Sequence, residues 1–164
     1  LEDRTAVDRM RQLRGIDEKH LLTLLCRDLS ELSQYAQVDN RQFRFLKEWT
    51  PGAYTFILPA TREVPRRLMH PSRKTVGLRV PEAPIVQALL AELGVPLLCA
   101  SLILPGDENP LSDPDDIEDR IGKRIDLLVD GGAGQLEATS VIDVTGDEPV
   151  IQRVGLGPVE AMLR

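Results

Sequence analysis

The chain has 164 residues, a length that fits one domain and can bury a core without disulfides or metal ions. Hydrophobic residues make up 42% of the sequence and charged residues 28%, which excludes an intrinsically disordered or collagen-like chain. The formal net charge of −6 argues against a protein that coats nucleic acid with its whole surface, although it allows a local basic patch.

Two further properties concern location and redox state. No stretch approaches the roughly 18 apolar residues of a membrane-spanning segment, and no signal peptide is evident, so we expect a cytoplasmic protein with no membrane partner. Cys26 and Cys99 both stand in apolar contexts and predict two buried, reduced thiols. The chain begins at Leu1 rather than at Met, and we interpret it as an N-terminally incomplete domain.

The first part of the chain predicts two helices and a strand. Residues 3–14 carry apolar side chains at helical spacing, and Gly15 marks the end of that helix. Residues 21–26 are an apolar run of strand length. Asp28 followed by Glu31 has the pattern of a capping box, which predicts a short helix.

A further helix is predicted to begin at Asp39 or Asn40 and to end at Trp49. Its apolar residues recur at intervals of three, which places Phe43, Leu46 and Trp49 on one side. We expect that side to be buried.

The middle of the chain predicts strands on either side of one turn of helix at Pro65. Residues 54–58 are β-branched and aromatic, and residues 74–80 alternate in polarity, so both predict strands. Residues 84–93 predict a strongly amphipathic helix that Gly94 ends. Residues 97–104 form another apolar run.

The last part predicts a helix from Ser112 or Asp113 to about Lys123, followed by strands over residues 125–129, 139–144 and 150–153. Across the chain, strands and helices mix without strict alternation. This mixture favours an α/β domain with one mixed sheet and helices packed on it.

Few residues have the spacing of a known chemical site. The sequence contains no phosphate-binding loop and no metal-ligating pattern, so no metal site is predicted. Basic residues instead cluster in the first helix, at Arg9 and Arg11, and between positions 62 and 79. Such runs are either solvated surface or a cationic pocket for an anionic ligand. Arg79 favours the pocket, because a guanidinium in a strand can bind carboxylate or phosphate with two hydrogen bonds.

Several segments, taken in order, resemble the YrdC-like family and within it the YciO-like branch. The resemblance covers residues 3–157, and we predict a YrdC-like domain over residues 1–157 with a C-terminal tail at 158–164. The matching segments are Cys26-Arg27-Asp28-Leu29-Ser30, residues 50–58, 63–68, Lys74-Thr75-Val76-Gly77-Leu78-Arg79-Val80-Pro81, 101–106, Asp130-Gly131-Gly132, 139–143 and Arg153-x-Gly155.

The resemblance implies a fold and an activity. The family fold is an open, twisted, mixed α/β sheet with packed helices, whose first strand is missing from this chain. Characterised members make threonylcarbamoyl-adenylate from L-threonine, bicarbonate and ATP, with Mg²⁺ accompanying the ATP, and release pyrophosphate. The product serves N6-threonylcarbamoylation of adenosine in tRNA, and the family has been linked to double-stranded RNA.

The resemblance also implies which residues bind each substrate. Arg79, Cys99 and Thr139 match positions that bind threonine. The positions that match ATP contacts are Arg9, Arg11, Thr75, Ser101, Asn109 and Arg153.

This chain departs from the family pattern in several places. The Ser-x-Asn motif reads Ser101-Leu102-Ile103, and the Trp-Pro-Gly-Pro motif reads Thr50-Pro51-Gly52-Ala53. The upstream strand with the Pro-Thr motif is absent. Two alternatives to an enzyme are therefore a non-catalytic module that binds double-stranded RNA or tRNA and a fragment with an incomplete sheet. The residues expected to bind RNA are Arg66, Arg67, Arg73 and Lys74.

Overall fold

The computed structural model describes residues 1–163, which form two compact units. One, the sheet unit, comprises Leu1–Glu2, Glu18–Ala100 and the chain from Thr139 onward. The other, the helical unit, comprises Asp3–Asp17 and Ser101–Ala138. Both units are built from separated parts of the sequence, so neither corresponds to one continuous segment.

The sheet unit contains one open six-stranded sheet with the strand order β4-β1-β3-β2-β5-β6. The β1–β3 and β2–β5 pairs are parallel, and the other pairs are antiparallel. This arrangement confirms the predicted mixed α/β sheet. The strands are β1 (Thr23–Leu25), β2 (Tyr54–Pro59), β3 (Thr75–Arg79), β4 (Leu97–Cys99), β5 (Ser140–Asp143) and β6 (Val150–Arg153).

Three α-helices belong to the sheet unit: α2 (Leu29–Tyr35), α3 (Asn40–Trp49) and α4 (Pro84–Leu93). Leu24, Leu78, Phe56 and Ile142 stand in register across four strands and are fully buried. From α3, Phe45 packs edge-on against Phe56, with ring centroids 6.1 Å apart. One face of the sheet therefore forms an apolar core with this helix.

Local capping sets the helix starts, as the sequence predicted for α3. The Asp39 side chain accepts a hydrogen bond from Gln42 N, and the Gln42 side chain accepts one from Asp39 N. The predicted capping box at Asp28 forms only in part. The Asp28 side chain accepts a hydrogen bond from Glu31 N, but the Glu31 side chain does not complete the box. Glu31 accepts hydrogen bonds from the backbone and side chain of Arg27 instead, because that residue also offers a charge.

The predicted apolar side of α3 is partly wrong. Leu46 is fully buried, but Phe43 is 41% exposed. Gln42 takes the buried position because its side-chain amide donates to Val144 O, 2.7 Å away. Polar side chains can occupy a core when a backbone acceptor satisfies them.

The helical unit contains α1 (Arg4–Arg14) and α5 (Pro114–Ile121), followed by a 3-10 turn at Gly122–Arg124. Asp3 caps α1, and Gly15 ends it at φ 62°, as predicted. The strand predicted over residues 125–129 is wrong. Leu127 is 78% exposed and Val129 50%, and no strand lies beside them in the described part of this unit. A strand needs a neighbour to satisfy its backbone groups.

Two apolar segments complete the sheet unit. The apolar run at 97–104 contributes the strand Leu97–Cys99. Helix α4 has the predicted bounds and ends at Gly94 as predicted; Leu90 is buried, while Ile85 and Leu93 are about half exposed.

The residues predicted as a C-terminal tail contact the sheet unit. Pro158 O accepts a hydrogen bond from the Tyr54 hydroxyl, and a 3-10 turn at Glu160–Leu163 buries Met162. Arg164, the last residue of that predicted tail, lies outside the described residues. No helix within residues 1–163 has the length and apolar character needed to cross a membrane.

Candidate functional site

The second face of the sheet is polar in its central part. Strand register places Thr23 of β1 between Gly77 of β3 and Cys99 of β4. Arg79 lies two residues beyond Gly77 and therefore on the same face. A Cβ atom at Gly77 would lie 3.1 Å from Thr23 Oγ1, so the neighbouring threonine closely approaches this strand.

Arg79 is the most unusual group on this polar face. Its Nε is buried and has no hydrogen-bond partner within residues 1–163. Burial lowers the pKa of the guanidinium from its ordinary value. Arg79 as a whole is only half-buried, so part of its side chain still meets solvent. Partial loss of hydration around a cation is unfavourable, and an anion bound at this position would relieve that cost.

Cys99 lies within electrostatic reach of Arg79. Burial raises the pKa of the Cys99 thiol to about 11, even though the guanidinium opposes the rise. Cys26 is fully buried, and burial raises its pKa as well. Both thiols are therefore protonated near neutral pH and are poor nucleophiles. The structure contains both cysteines as free thiols, with Cys26 buried as predicted and Cys99 only half-buried.

Thr139 lies just before β5, and Thr75 is the first residue of β3. The hydroxyls of Thr139 and Thr55 are 2.8 Å apart and share a hydrogen bond. Arg153 donates two hydrogen bonds to Thr139 O, at 3.0 and 2.7 Å, so much of its guanidinium already holds the start of β5. Thr75 is buried at the start of β3.

In the helical unit, Arg9 lines a basic cavity of about 300 Å³. Lys123 and Arg124 reach the same cavity from the 3-10 turn after α5, and Gln12 completes its polar lining. Arg9 also forms a salt bridge with exposed Asp126 at 2.8 Å and donates to Arg124 O. With three cations along its walls, this cavity fits an anionic group such as a phosphate.

The other predicted ATP contacts of this unit do not line that basic cavity. Arg11 donates to Asp17 O at 2.7 Å. Arg14 donates to Ile103 O at 2.7 Å and also to Ser101 O, which holds the segment after β4 against α1. Asn109 is exposed in the loop before α5.

The predicted RNA-binding residues lie around a short 3-10 turn and the loop before β3. Arg66, Arg73 and Lys74 are exposed, and Lys74 adopts φ 56° while its ammonium donates to Pro71 O. Arg67 differs, because it donates to Leu1 O and its Nε is buried without a partner within residues 1–163. Exposed cations of this kind can contact a phosphate backbone.

A second cavity, of about 370 Å³, lies in the sheet unit and has the opposite character. Its lining includes Glu48, Glu82 and the aromatic residues Trp49 and Tyr54, and it contains no basic side chain. Two carboxylates without a cation disfavour a phosphate ligand. Within residues 1–163, no three His, Cys, Asp or Glu side chains cluster in an arrangement that could hold a metal ion.

Sequence reasoning missed four residues of these sites. Thr23 and Thr55 flank Gly77, and alternation along their strands could have placed them on the polar face. Lys123 and Arg124 line the basic cavity, but they follow an acidic helix and gave no local signal.

Comparison with known proteins extends these observations. The profile of the Sua5/YciO/YrdC family, described as "Telomere recombination", matches residues 1–155. The uncharacterized protein YciO of Escherichia coli is 52% identical over 163 residues, which cover 99% of this chain and 79% of that protein. The crystal structure of E. coli YciO superimposes with a TM-score of 0.94, covering 98% of this chain and 78% of that one.

More distant relatives have named activities or ligands. The threonylcarbamoyl-AMP synthase of Vibrio vulnificus is 26% identical over 156 residues, covering 93% of this chain and 82% of that protein. The crystal structure of P. abyssi Sua5 complexed with L-threonine is 25% identical, with a TM-score of 0.86. It covers 98% of this chain and 47% of that one. This chain therefore belongs to the Sua5/YciO/YrdC family.

Proposed function

We propose that this protein catalyses the formation of threonylcarbamoyl-adenylate from L-threonine, bicarbonate and ATP, with release of pyrophosphate, and that the product serves modification of adenosine in tRNA. The observation that carries the proposal is the buried Nε of the half-buried Arg79, which has no hydrogen-bond partner within residues 1–163. All three substrates are anions or carry a carboxylate. A site for them needs fixed cations more than it needs a nucleophile.

In this proposal Arg79 binds the carboxylate of L-threonine. A guanidinium offers a planar pair of N–H donors that matches a carboxylate, and the bound anion compensates the buried positive charge. Cys99 and Thr139 form the remaining threonine contacts. Cys99 acts as a neutral wall, because burial keeps its thiol protonated.

ATP is assigned to Arg9, Arg11, Thr75, Ser101, Asn109 and Arg153. The basic cavity at Arg9 supports this assignment, since Lys123 and Arg124 add two cations beside it. Mg²⁺ accompanies the triphosphate as part of the ATP substrate and adds positive charge there.

The reaction needs no covalent bond to the protein. Bicarbonate takes up one proton and loses one water molecule to give CO₂. The threonine amine donates its electron pair to the carbon of CO₂, and a carbamate forms with loss of one proton. A carbamate oxygen then attacks the α-phosphorus of ATP. The bond from the α-phosphorus to the bridging oxygen breaks, and pyrophosphate leaves with that electron pair. The proposed contribution of the arginines is to bind these anions and to neutralise their charge.

Relatives support the proposal at two levels. A synthase of this activity is 26% identical over most of the chain, and a Sua5 structure contains L-threonine. The 52% identity to E. coli YciO favours a common activity for these two proteins, whatever that activity is.

Pyrophosphate release from ATP tests the proposal, measured with and without L-threonine and bicarbonate, on this chain and on E. coli YciO in parallel. We expect release that requires both substrates and is lost in Arg79→Met. Arg44→Ala is the matched control, since Arg44 is exposed and donates a hydrogen bond to Asn40 O of its own helix. Release without threonine, or full release by Arg79→Met, contradicts the proposal.

A second function is favoured by the exposed cations at Arg66, Arg73 and Lys74: non-catalytic binding of double-stranded RNA or tRNA. Binding through phosphates weakens steeply as salt increases. We expect the Arg66→Ala/Arg73→Ala variant to lose RNA affinity in a filter-binding assay without any change in threonine affinity. Equal RNA affinity of the variant and the parent at every salt concentration would exclude this function.

A further inference from the structure

Thr55 occupies a fixed position in the interior of the sheet. It belongs to β2, which lies between β3 and β5, and it is only 7% exposed. A Cβ atom at Gly77 would lie 3.3 Å from Thr55 Cγ2, so the threonine methyl group already fills the space beside that glycine. A β-branched side chain has few χ1 rotamers, and this close contact leaves the Thr55 hydroxyl little freedom to turn.

The Thr55 hydroxyl is paired with the Thr139 hydroxyl, 2.8 Å away. Thr139 is half-buried just before β5, and other groups already hold the backbone around it. Arg153 donates two hydrogen bonds to Thr139 O, and the amide of Ser140 donates to Ala53 O at 3.1 Å. The main freedom left to Thr139 is the rotation of its side chain, which the bond to Thr55 restricts.

Thr55 also stands beside Arg79 on the polar face. Phe56 pairs with Leu78 in the antiparallel β2–β3 ladder, so the next pair toward the start of β2 is Thr55 with Arg79. Facing side chains on neighbouring strands have Cβ atoms about 5 Å apart. The hydroxyl pair and the guanidinium are therefore close enough for one ligand of amino-acid size to contact both Arg79 and Thr139.

We propose that Thr55 is a positioning residue of the L-threonine site: its hydroxyl donates to the Thr139 hydroxyl and leaves the Thr139 proton for an oxygen of the ligand. Each hydroxyl carries one proton and can accept from two donors, so only this direction of the pair keeps the Thr139 proton available. Thr55 itself does not touch the ligand. The inference rests on the proposed function, which assigns Thr139 to L-threonine, and adds a residue that acts through Thr139.

Titration calorimetry with L-threonine tests the inference on the parent, Thr55→Val, Thr139→Val and the double variant. Valine keeps the branched shape of threonine and lacks its hydroxyl. We expect Thr55→Val to weaken L-threonine binding about three- to tenfold, the range of one neutral hydrogen bond. In the Thr139→Val background the same change should have no further effect, because a residue that acts only through Thr139 then has nothing to position. Thr55→Ser, which keeps the hydroxyl, should restore most of the affinity.

Urea denaturation of the same four chains without ligand tests the hydroxyl pair itself. Each single variant breaks the same hydrogen bond, so the double variant should lose less stability than the two single losses added together. Strictly additive losses would show that the two hydroxyls do not interact and would contradict the inference.

Thr61→Val is the matched control, since it removes a hydroxyl that donates to Gln34 O just beyond the other end of β2. Its affinity for L-threonine should equal that of the parent. If the parent binds L-threonine and Thr55→Val binds it equally well, the inference is overturned while the proposed function stands. Additive losses of affinity in the double variant would overturn it too, because Thr55 would then contact the ligand directly. A folded parent without affinity for L-threonine would contradict the proposed function and this role of Thr55 together.

Discussion

Arg79 and Cys99 influence each other's ionisation across the polar face of the sheet. Burial raises the pKa of the Cys99 thiol to about 11, and the nearby guanidinium limits the rise. Burial lowers the pKa of Arg79, which the Cys99 group opposes. Because a thiol with this pKa is neutral at physiological pH, Cys99 does not supply the counter-charge that Arg79 lacks. A bound anion would supply that charge, whereas a water molecule would supply only a hydrogen-bond acceptor for Nε.

The first prediction separates stability from binding at Arg79. We expect Arg79→Met to raise the free energy of unfolding by about 1 kcal/mol, because it replaces a half-buried guanidinium, whose Nε lacks a partner within residues 1–163, with an apolar side chain of similar length. The same change should reduce affinity for L-threonine by roughly tenfold to a hundredfold, the range of a lost charge-assisted contact. Urea denaturation and isothermal titration calorimetry measure the two effects.

Threoninol is the matched ligand control for this prediction, since it keeps the amine and side chain of threonine but lacks the carboxylate. It should bind the parent and Arg79→Met equally weakly. A parent protein that binds threoninol as tightly as L-threonine would show that Arg79 does not recognise the carboxylate.

The second prediction concerns alkaline pH. The folded-state pKa of Cys99 lies above its ordinary value of 9.0, so the unfolded chain loses this proton first as pH rises. The contribution of the Cys99 thiol to the free energy of unfolding is therefore complete below pH 9 and is lost as the pH rises from about 9 to 11. We expect Cys99→Ala to show a smaller loss of unfolding free energy than the parent over this window, measured by urea denaturation at each pH.

Thiol chemistry gives an independent measure of the same pKa. As long as the pH stays below the pKa of Cys99, each increase of one pH unit should raise the rate of its alkylation by iodoacetamide about tenfold. The reason is that the thiolate is the reactive form. Fully buried Cys26 should stay unmodified in the folded chain, which peptide mass spectrometry resolves. Rapid alkylation of Cys99 at neutral pH would contradict the raised pKa.

The third prediction concerns the basic cavity of the helical unit. Replacing Lys123 and Arg124 together with Ala should weaken ATP binding by about tenfold and make it less sensitive to salt, because two cations are removed from the cavity wall. Lys47→Ala, a change at an exposed position of helix α3, is the control. Titration calorimetry at two salt concentrations measures both effects. Unchanged affinity would remove the ATP assignment from this cavity.

Features decided by neighbouring residues were predictable from the sequence. Asp3 and Gly15 bound the first helix where expected, because a side-chain oxygen and a left-handed glycine act within one turn. The alternation of residues 74–80 identified β3 and placed Arg79 in a strand. The mixed α/β sheet followed from the mixture of such elements and is confirmed.

Features decided by distant residues were not predictable. The apolar residues over 125–129 predict a strand, but a strand also requires a partner, which a local pattern does not contain. Gln42 replaces Phe43 in the core only because Val144 O is available 102 residues away. Lys123 and Arg124 join Arg9 through the packing of α1 against the turn after α5. The residue assignments to threonine, ATP and RNA remain predictions.

The last prediction concerns the contact between Tyr54 and the chain after β6. A Cβ atom at Gly157 would lie 2.4 Å from Tyr54 Cε1 and 2.8 Å from Ala53 O. The ring cannot easily move aside, because Tyr54 is buried, packs at 5.8 Å from Trp49 and donates a hydrogen bond to Pro158 O. We expect Gly157→Ala to lower the free energy of unfolding by about 2 kcal/mol through overpacking. In Gly146→Ala the new Cβ meets nothing closer than 3.9 Å, so its urea midpoint should match that of the parent. Equal midpoints for the two variants would mean that the segment at Gly157 can withdraw from Tyr54 without cost.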